Sequence, residues 1–440
     1  MKKKLLPALI VTGLIILVVI IMGITALINK YTPTKKTEDL KEYFNISSDD
    51  EAALIVDNEL SDYKAKIIDK KIYVDYKFIH DSLNSRFYWD ANENVLLYTT
   101  ASDIISAAAD SNSYSVTKQT NDFGYPIVKA TSDSALIALD YVKQYSNITF
   151  KSYDDPARIV ITSKWDEIDS ATVSKSTQVR VKGGIKSPIL KEVKKDDKIT
   201  ILDSGDKWDK IATEDGVIGY IKGKALSESK KTKLTNPDYE EETFTHIKKD
   251  KDICLAWNQV TSQSANSKVP QVISSTKGIN VMSPTWFYLN DNNGNLADIA
   301  SKDYVSYCHS QGIEVWGLFS NFENTDVDAA YVLTHTSTRT TLINQIMSAA
   351  FNYELDGVNI DFENITEAAY GDSYIEFIRE LAIKCHNNGI SLSVDVTVPA
   401  SFNKFFNRSD MANFADYIVI MGYDEHYKAL MPAQFLLFLG

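Results

Sequence analysis

Asn359, Asp361 and Glu363 are the residues of this chain best spaced to do chemistry. In an extended strand these alternate positions share one face, while Val358, Ile360 and Phe362 share the other. Stacked polar groups on an inward face are costly unless they are hydrogen-bonded or used. Two neighbouring carboxyls cannot both ionise cheaply, so one keeps its proton to higher pH. General acid catalysis needs such a group, a carboxyl that stays protonated until a leaving oxygen takes its proton. A half-exposed antiparallel strand with a solvated acidic edge fits the same alternation, so the surrounding elements have to decide.

From about Ile253 apolar strands alternate with helical stretches. The pattern predicts strands over Ile253–Gln259, Ile279–Tyr288, Ile313–Ser320, Leu355–Glu363, Ser391–Pro399 and Tyr417–Asp424. Helices are predicted over Ala300–Gln311, Ser337–Tyr353 and Tyr374–Asn388. Near-continuous apolar strands separated by helices indicate a parallel sheet sheathed by helices. Six such strands with polar C-terminal ends point to an α/β (β/α)8 TIM barrel, whose chemistry sits at the C-terminal mouth. Glu363 ends one strand there and Asp424 another.

The strand Asp356-Gly357-x-Asn359-x-Asp361-x-Glu363 resembles the Asp-x-x-Asp-x-Asp-x-Glu signature of family 18 glycoside hydrolases, the chitinase-like enzymes. Ser283-Pro284-Thr285-Trp286-Phe287 and Met421-Gly422-Tyr423-Asp424-Glu425-His426 extend the likeness over roughly residues 245–427, closest to the branch that acts on spore cortex and cell-wall peptidoglycan. In that family the substrate's own 2-acetamido oxygen is the nucleophile, so no separate enzyme nucleophile is required. The resemblance implies Glu363 as the acid, Asp361 as the group that orients the acetamido oxygen, Tyr423 as its partner across the barrel and Asp424 as a sugar-positioning rim residue. Trp257 and Trp286 would offer flat faces to sugar rings, with a core role as the alternative for each, and Met421 and Asp395 join the substrate-binding set. Asn359 stands where the family has its first inner Asp, which removes one charge from the row. A full barrel takes about 250 residues, against about 190 from Ile253 onward. The expectation is therefore a barrel C-terminally truncated after about six strands, with an apolar ending, Phe435-Leu436-Leu437-Phe438-Leu439.

Ahead of residue 245 the chain divides further. Lys2-Lys3-Lys4 precedes an apolar run from Leu5 to Ile28, long enough to cross a bilayer core. It reads as an uncleaved signal anchor over 1–30 with a cytoplasmic N-terminus, a cleaved signal being the alternative. A polar linker over 31–50 follows. Residues 51–168 alternate short strands with helical runs, including a predicted helix Ser132–Tyr145, and resemble the small α+β stalk domain at the N-terminus of copper amine oxidases. Between 171 and 228, Val179-Arg180-Val181, Trp208-Asp209-Lys210-Ile211 and Gly219-Tyr220-Ile221 lie among short strands broken by Gly and Asp turns, a small β-barrel similar to bacterial SH3 domains. That likeness implies wall-peptide binding, with Trp208 and Tyr220 as core residues in the other reading. A lysine-rich linker spans 229–244, and the barrel takes 245–440.

A net charge of −13 over 440 residues argues against a general nucleic-acid binder. Three scattered cysteines make no disulfide framework or metal cluster and suit small buried thiols. Neither a metal nor an organic cofactor is implied. The reading is a single-pass membrane protein on the outer side of a Gram-positive-type cell, cleaving β-1,4 bonds next to N-acetylglucosamine in peptidoglycan or chitin. The alternative is a catalytically impaired wall-binding protein.

Overall fold

The computed structural model describes residues 2–363, 365, 368–400, 403 and 406–422. A helix, Lys2–Tyr31, opens the chain. Its segment Ile10–Tyr31 is long and apolar enough to cross a bilayer, a property that signal sequences share. The chain forms two compact units, 1–75 with 139–239 and 76–138 with 240–440. The stretch 51–168, read from sequence as one domain, is thus divided between them.

In the first unit the strands Thr149–Tyr153, Arg158–Thr162, Glu51–Val56, Glu59–Ile68 and Lys71–Asp75 lie side by side in that order. Asp57 and Asn58, with φ of 49° and 67°, turn one hairpin; both residue types tolerate the left-handed region that a tight hairpin demands. A second, all-antiparallel sheet contains Thr177–Arg180, Ile189–Val193, Lys198–Asp203, Trp208–Thr213 and Ile218–Lys222, flanked by Glu167–Thr172 and Lys230–Lys233. Trp208 and Tyr220 are half-buried there. The two sheets share one core, a buried cluster that holds Ile55 together with Val179, Ile199, Ile211 and Ile221. The helix expected over Ser132–Tyr145 is shorter. Ala135–Ala138 is a strand paired with Val128–Ala130, and only Leu139–Gln144 is helical. The alternating Ala135 and Ile137 bury on a strand face, and the hairpin satisfies the backbone that a helix would have used.

The second unit holds the element that carries the acids. Its parallel strands are β1 (Leu255–Asn258), β2 (Val281–Leu289), β3 (Glu314–Ser320), β4 (Gly357–Asp361), β5 (Ser391–Thr397) and β6 (Tyr417–Met421), hydrogen-bonded in sequential order. Helices α1 (Lys302–Ser310), α2 (Thr336–Tyr353), α3 (Ala368–His386) and α4 (Arg408–Phe414) connect them. This is a half-barrel-like sheet, and its strand–helix order follows the apolar periodicity of the sequence. Val358, Ile360 and Phe362 face the helices in one buried cluster with Ile346, Phe377 and Leu381. Burying each such side chain contributes roughly 1.5–3 kcal/mol. Gly357 leaves room for Trp316, whose ring atoms would lie 2.6 Å from an added Cβ.

An antiparallel meander, Phe87–Asp90, Val95–Thr99, Ile104–Ala108, Ser113–Val116 and Gln119–Asp122, completes the unit. It docks on α2 and α3. Helix α2 has no capping side chain at His335. Instead Asp90 Oδ2 accepts from Thr336 N (2.7 Å) and Oγ1 (2.6 Å), and Glu93 accepts from Ser337 N. These are the orphan donors of a helix N-terminus, and carboxylates are favoured there by the helix dipole. Tyr88 Oη bonds Ser373 Oγ at 2.8 Å, and the fully buried Arg339 sits under the Tyr88 ring while pairing with Glu380 at 3.1 Å. Arg379 pairs with Glu376 at 3.0 Å and with Asp410.

Candidate active site

The face of the sheet away from the helices is lined by the alternate set of residues. On β4 this set is Asn359 and Asp361, with Glu363 just beyond the strand; on β5 it is Ser393 and Asp395. All of the acids lie at the C-terminal ends of parallel strands, where strand ends and their loops converge in α/β sheets.

Asn359 is completely buried and uses both ends of its amide. Its Oδ1 accepts from Trp257 Nε1 (3.0 Å) and Ser283 Oγ (2.9 Å), and its Nδ2 donates to Asp395 Oδ1 (2.9 Å). Asp361 and Glu363 are half-buried. The backbone of Glu363 is clamped by one side chain: its N–H donates to Asn321 Oδ1 (2.9 Å) and its C=O accepts from Asn321 Nδ2 (2.8 Å). That two-point contact fixes the chain direction where β4 ends, and so fixes where the Glu363 side chain starts. Beside the clamp a cavity of about 290 Å³ is lined by Asn321, Phe322, Asp328, Ile365 and Tyr370.

Asp395 is 3 % exposed, and burial pushes its carboxyl up to about 7. The charges of Asp361 and Glu363 push the same way, while the hydrogen bond from Asn359 opposes them. On α3, Tyr374 is pushed well above the usual phenol range, first by burial and then by Asp395 and Asp361. Among the described residues no group of three or more His, Cys, Asp or Glu side chains is arranged to hold a metal ion.

The structure therefore brings Asn359, Asp361, Glu363, Asp395 and Trp257 together. Trp257 is 41 % exposed, so its ring is available as a flat face while its N–H is anchored. Met421 is buried at the end of β6, level with Thr397. Trp286 is a correction: it is fully buried on the helix-covered face, edge-on to Tyr304 with its N–H on Asn266 Oδ1, and offers no face to a ligand. Trp286 is one residue out of phase with the inward positions of β2, and strand alternation turns it to the core. Tyr423 and Asp424 lie outside the described residues. Cys308 and Cys385 are buried, but Cys254 is exposed, against the expectation for small apolar thiols. Sequence reasoning did not single out Asn321 or Tyr374, and Ser283 entered only as part of a motif. Asn321 directly follows β3, a strand-end position that could have flagged it.

Residues 319–433 match the family model described as glycosyl hydrolases family 18. Over 150 residues the chain is 24 % identical to the uncharacterized glycosylase YvbX of Bacillus subtilis (strain 168), covering 31 % of this chain and 42 % of that protein. Over 105 residues it is 30 % identical to the proposed sporulation-specific glycosylase YdhD of the same organism, covering 23 % and 25 %. The chain thus spans less than half the length of these curated relatives. Among solved structures, the spore cortex-lytic enzyme SleL of Bacillus megaterium QM B1551 matches with 17 % identity and a TM-score of 0.34, over 40 % of this chain and 43 % of that one.

Proposed function

We propose that this protein is a glycosidase that cleaves β-1,4 bonds next to N-acetylglucosamine in peptidoglycan or chitin, held at the outer face of a membrane by its N-terminal helix. The observation that carries the reading is the pair Asp361 and Glu363 at the C-terminal end of the central parallel strand, within the segment that matches the family 18 model. In this reading Glu363 is the general acid and then the general base. Asp361 orients the substrate's acetamido group, whose oxygen attacks the anomeric carbon as the glycosidic oxygen leaves with the proton of Glu363. Water then opens the oxazolinium intermediate, with net retention. Tyr423 and Asp424 are proposed to complete the acetamido and sugar contacts, and Trp257 to stack on a sugar ring. Phe322 and Tyr370, beside the Asn321 clamp, supply further apolar surface for the glycan.

The test is release of new reducing ends from purified peptidoglycan and from chitin oligosaccharides by the full chain, beside its Glu363→Gln variant. The wild type is expected to release product and E363Q to lose at least about a hundredfold of the rate, the size of a general acid contribution. Equal release by both proteins would remove Glu363 from the mechanism. No release from either glycan by the wild type would overturn the glycosidase reading.

A further inference from the structure

The interior position 359 carries an amide, yet a carboxyl stands beside it on the next strand. Asp395 lies level with Asp361, because Ile360 pairs with Val394 and both chains run in the same direction. Asn359 is held in one orientation, since Trp257 and Ser283 both donate to its Oδ1; its Nδ2 must then face Asp395. Asp395 Oδ2 is buried and has no hydrogen-bond partner among the described residues. A full negative charge at that site would rest on two neutral donors, the Asn359 amide and the Trp257 indole N–H that is shared with Asn359 Oδ1, and no cation, which is a poor exchange for hydration.

The groups that face it do not repair this. On β4 they are the acids Asp361 and Glu363; on α3 the buried Tyr374, whose hydroxyl also lacks a partner among the described residues; on β6 the level residue is Val419. The two terminal nitrogens of the Arg408 guanidinium donate to the carbonyls of Asn403 and Thr397 at the strand end, while its buried Nε has no partner among the described residues. Tyr423 and Asp424 lie outside the described residues.

We propose that Asp395 is the interior proton-holding group of this site, a positioning residue that stands in from β5 for the acid missing at position 359. This rests on the glycosidase reading. While Asp395 keeps its proton, Asp361 can stay anionic and orient the substrate. When Asp395 loses that proton to solvent at higher pH, two adjacent carboxylates repel each other and Asp361 is displaced from the position in which it orients the acetamido group. The burial-raised pKa of Asp395, about 7, is consistent with a change near neutrality.

The experiment combines infrared difference spectra with pH–rate profiles of the full chain, comparing wild type, D395N and the swapped variant N359D/D395N. A protonated-carboxyl C=O band that titrates near neutrality is expected in the wild type and absent in D395N; taking the difference cancels any other buried acid. D395N, neutral at every pH, should keep KM and lose the alkaline fall in kcat that ionisation of Asp395 causes, while the swapped variant, with a carboxyl again beside Asp361, restores a pH-dependent limb. If D395N leaves both the band and the pH profile unchanged, the proposal falls. Should the wild type cleave no glycan, the glycosidase reading fails by itself. The infrared arm then still decides the proton: a band lost in D395N upholds it, and a band retained overturns it.

Discussion

At the scale of single residues, the anchoring of Trp257 separates two roles that one ring can play. Its N–H is one of two donors on Asn359 Oδ1, while much of its face is open. Trp257→Phe removes the donor and keeps an aromatic face. It is expected to cost about 1 kcal/mol in urea unfolding, the size of one net hydrogen bond, with little change in KM. Trp257→Ala removes the face as well and should raise KM severalfold on chitin oligosaccharides. An unchanged KM in the alanine variant would take Trp257 out of the substrate contacts. Asn321 offers a second residue-scale case. Asn321→Ala leaves both backbone groups of Glu363 without the clamp and should lower kcat while Glu363 itself is intact.

At the scale of elements, α2 is capped by carboxylates that come from a different part of the chain. Asp90→Ala deprives both donors of Thr336, its N–H and its hydroxyl, of their shared acceptor and is expected to destabilise the fold by about 1–2 kcal/mol, read as a lower midpoint in denaturant. A midpoint within error of the wild type would mean that water caps α2 as well as Asp90 does. The buried pair Arg339–Glu380 is more demanding. Glu380→Ala strands a fully buried guanidinium and should cost about 3–5 kcal/mol. Both variants act on the meander–helix contact, which is why the strands after Tyr76 are as much a part of this unit as the sheet itself.

At the scale of the whole molecule, two buried carboxyls make stability depend on pH. Glu376 is fully buried, and burial pushes it up to about 7; Glu380 adds to this while Arg379 and Arg339 oppose it. Asp395 is pushed to about 7 in the same direction. A raised carboxyl contributes stability that is fully present below its unfolded pKa, near 4, and lost as pH rises to its folded pKa. Thermal melts should therefore fall between about pH 5 and 7, by roughly 1 kcal/mol per pH unit for each group, and Glu376→Gln should flatten that slope. A slope unchanged in E376Q would show that Glu376 stays ionised in the fold. Removing residues 76–138 uncovers the Arg339, Glu376, Arg379 and Glu380 cluster. Residues 240–440 alone are expected to be digested rapidly in limited proteolysis, unlike the same residues in the full chain.

Period and spacing are local, and what depends on them was legible from the sequence: the six parallel strands, the helices α1, α2 and α3 between them, though not the short α4, and the two faces of β4. The inward row of Asn359, Asp361 and Glu363 follows from alternation alone, because a strand turns successive side chains to opposite sides. The same rule, applied to β2, would have placed Trp286 in the core. Other features depend on which distant residues meet, and only the tertiary structure decided those. The sequence does not announce that Asp90 caps α2, that Asn321 holds the backbone of Glu363, or that 76–138 joins 240–440. Nor does it reveal that Asn359 turns its amide towards Asp395, since parallel register and the two donors of β1 and β2 set that contact. The loss of a charge at 359 is visible in the sequence; the carboxyl beside it emerges only when β4 and β5 are paired.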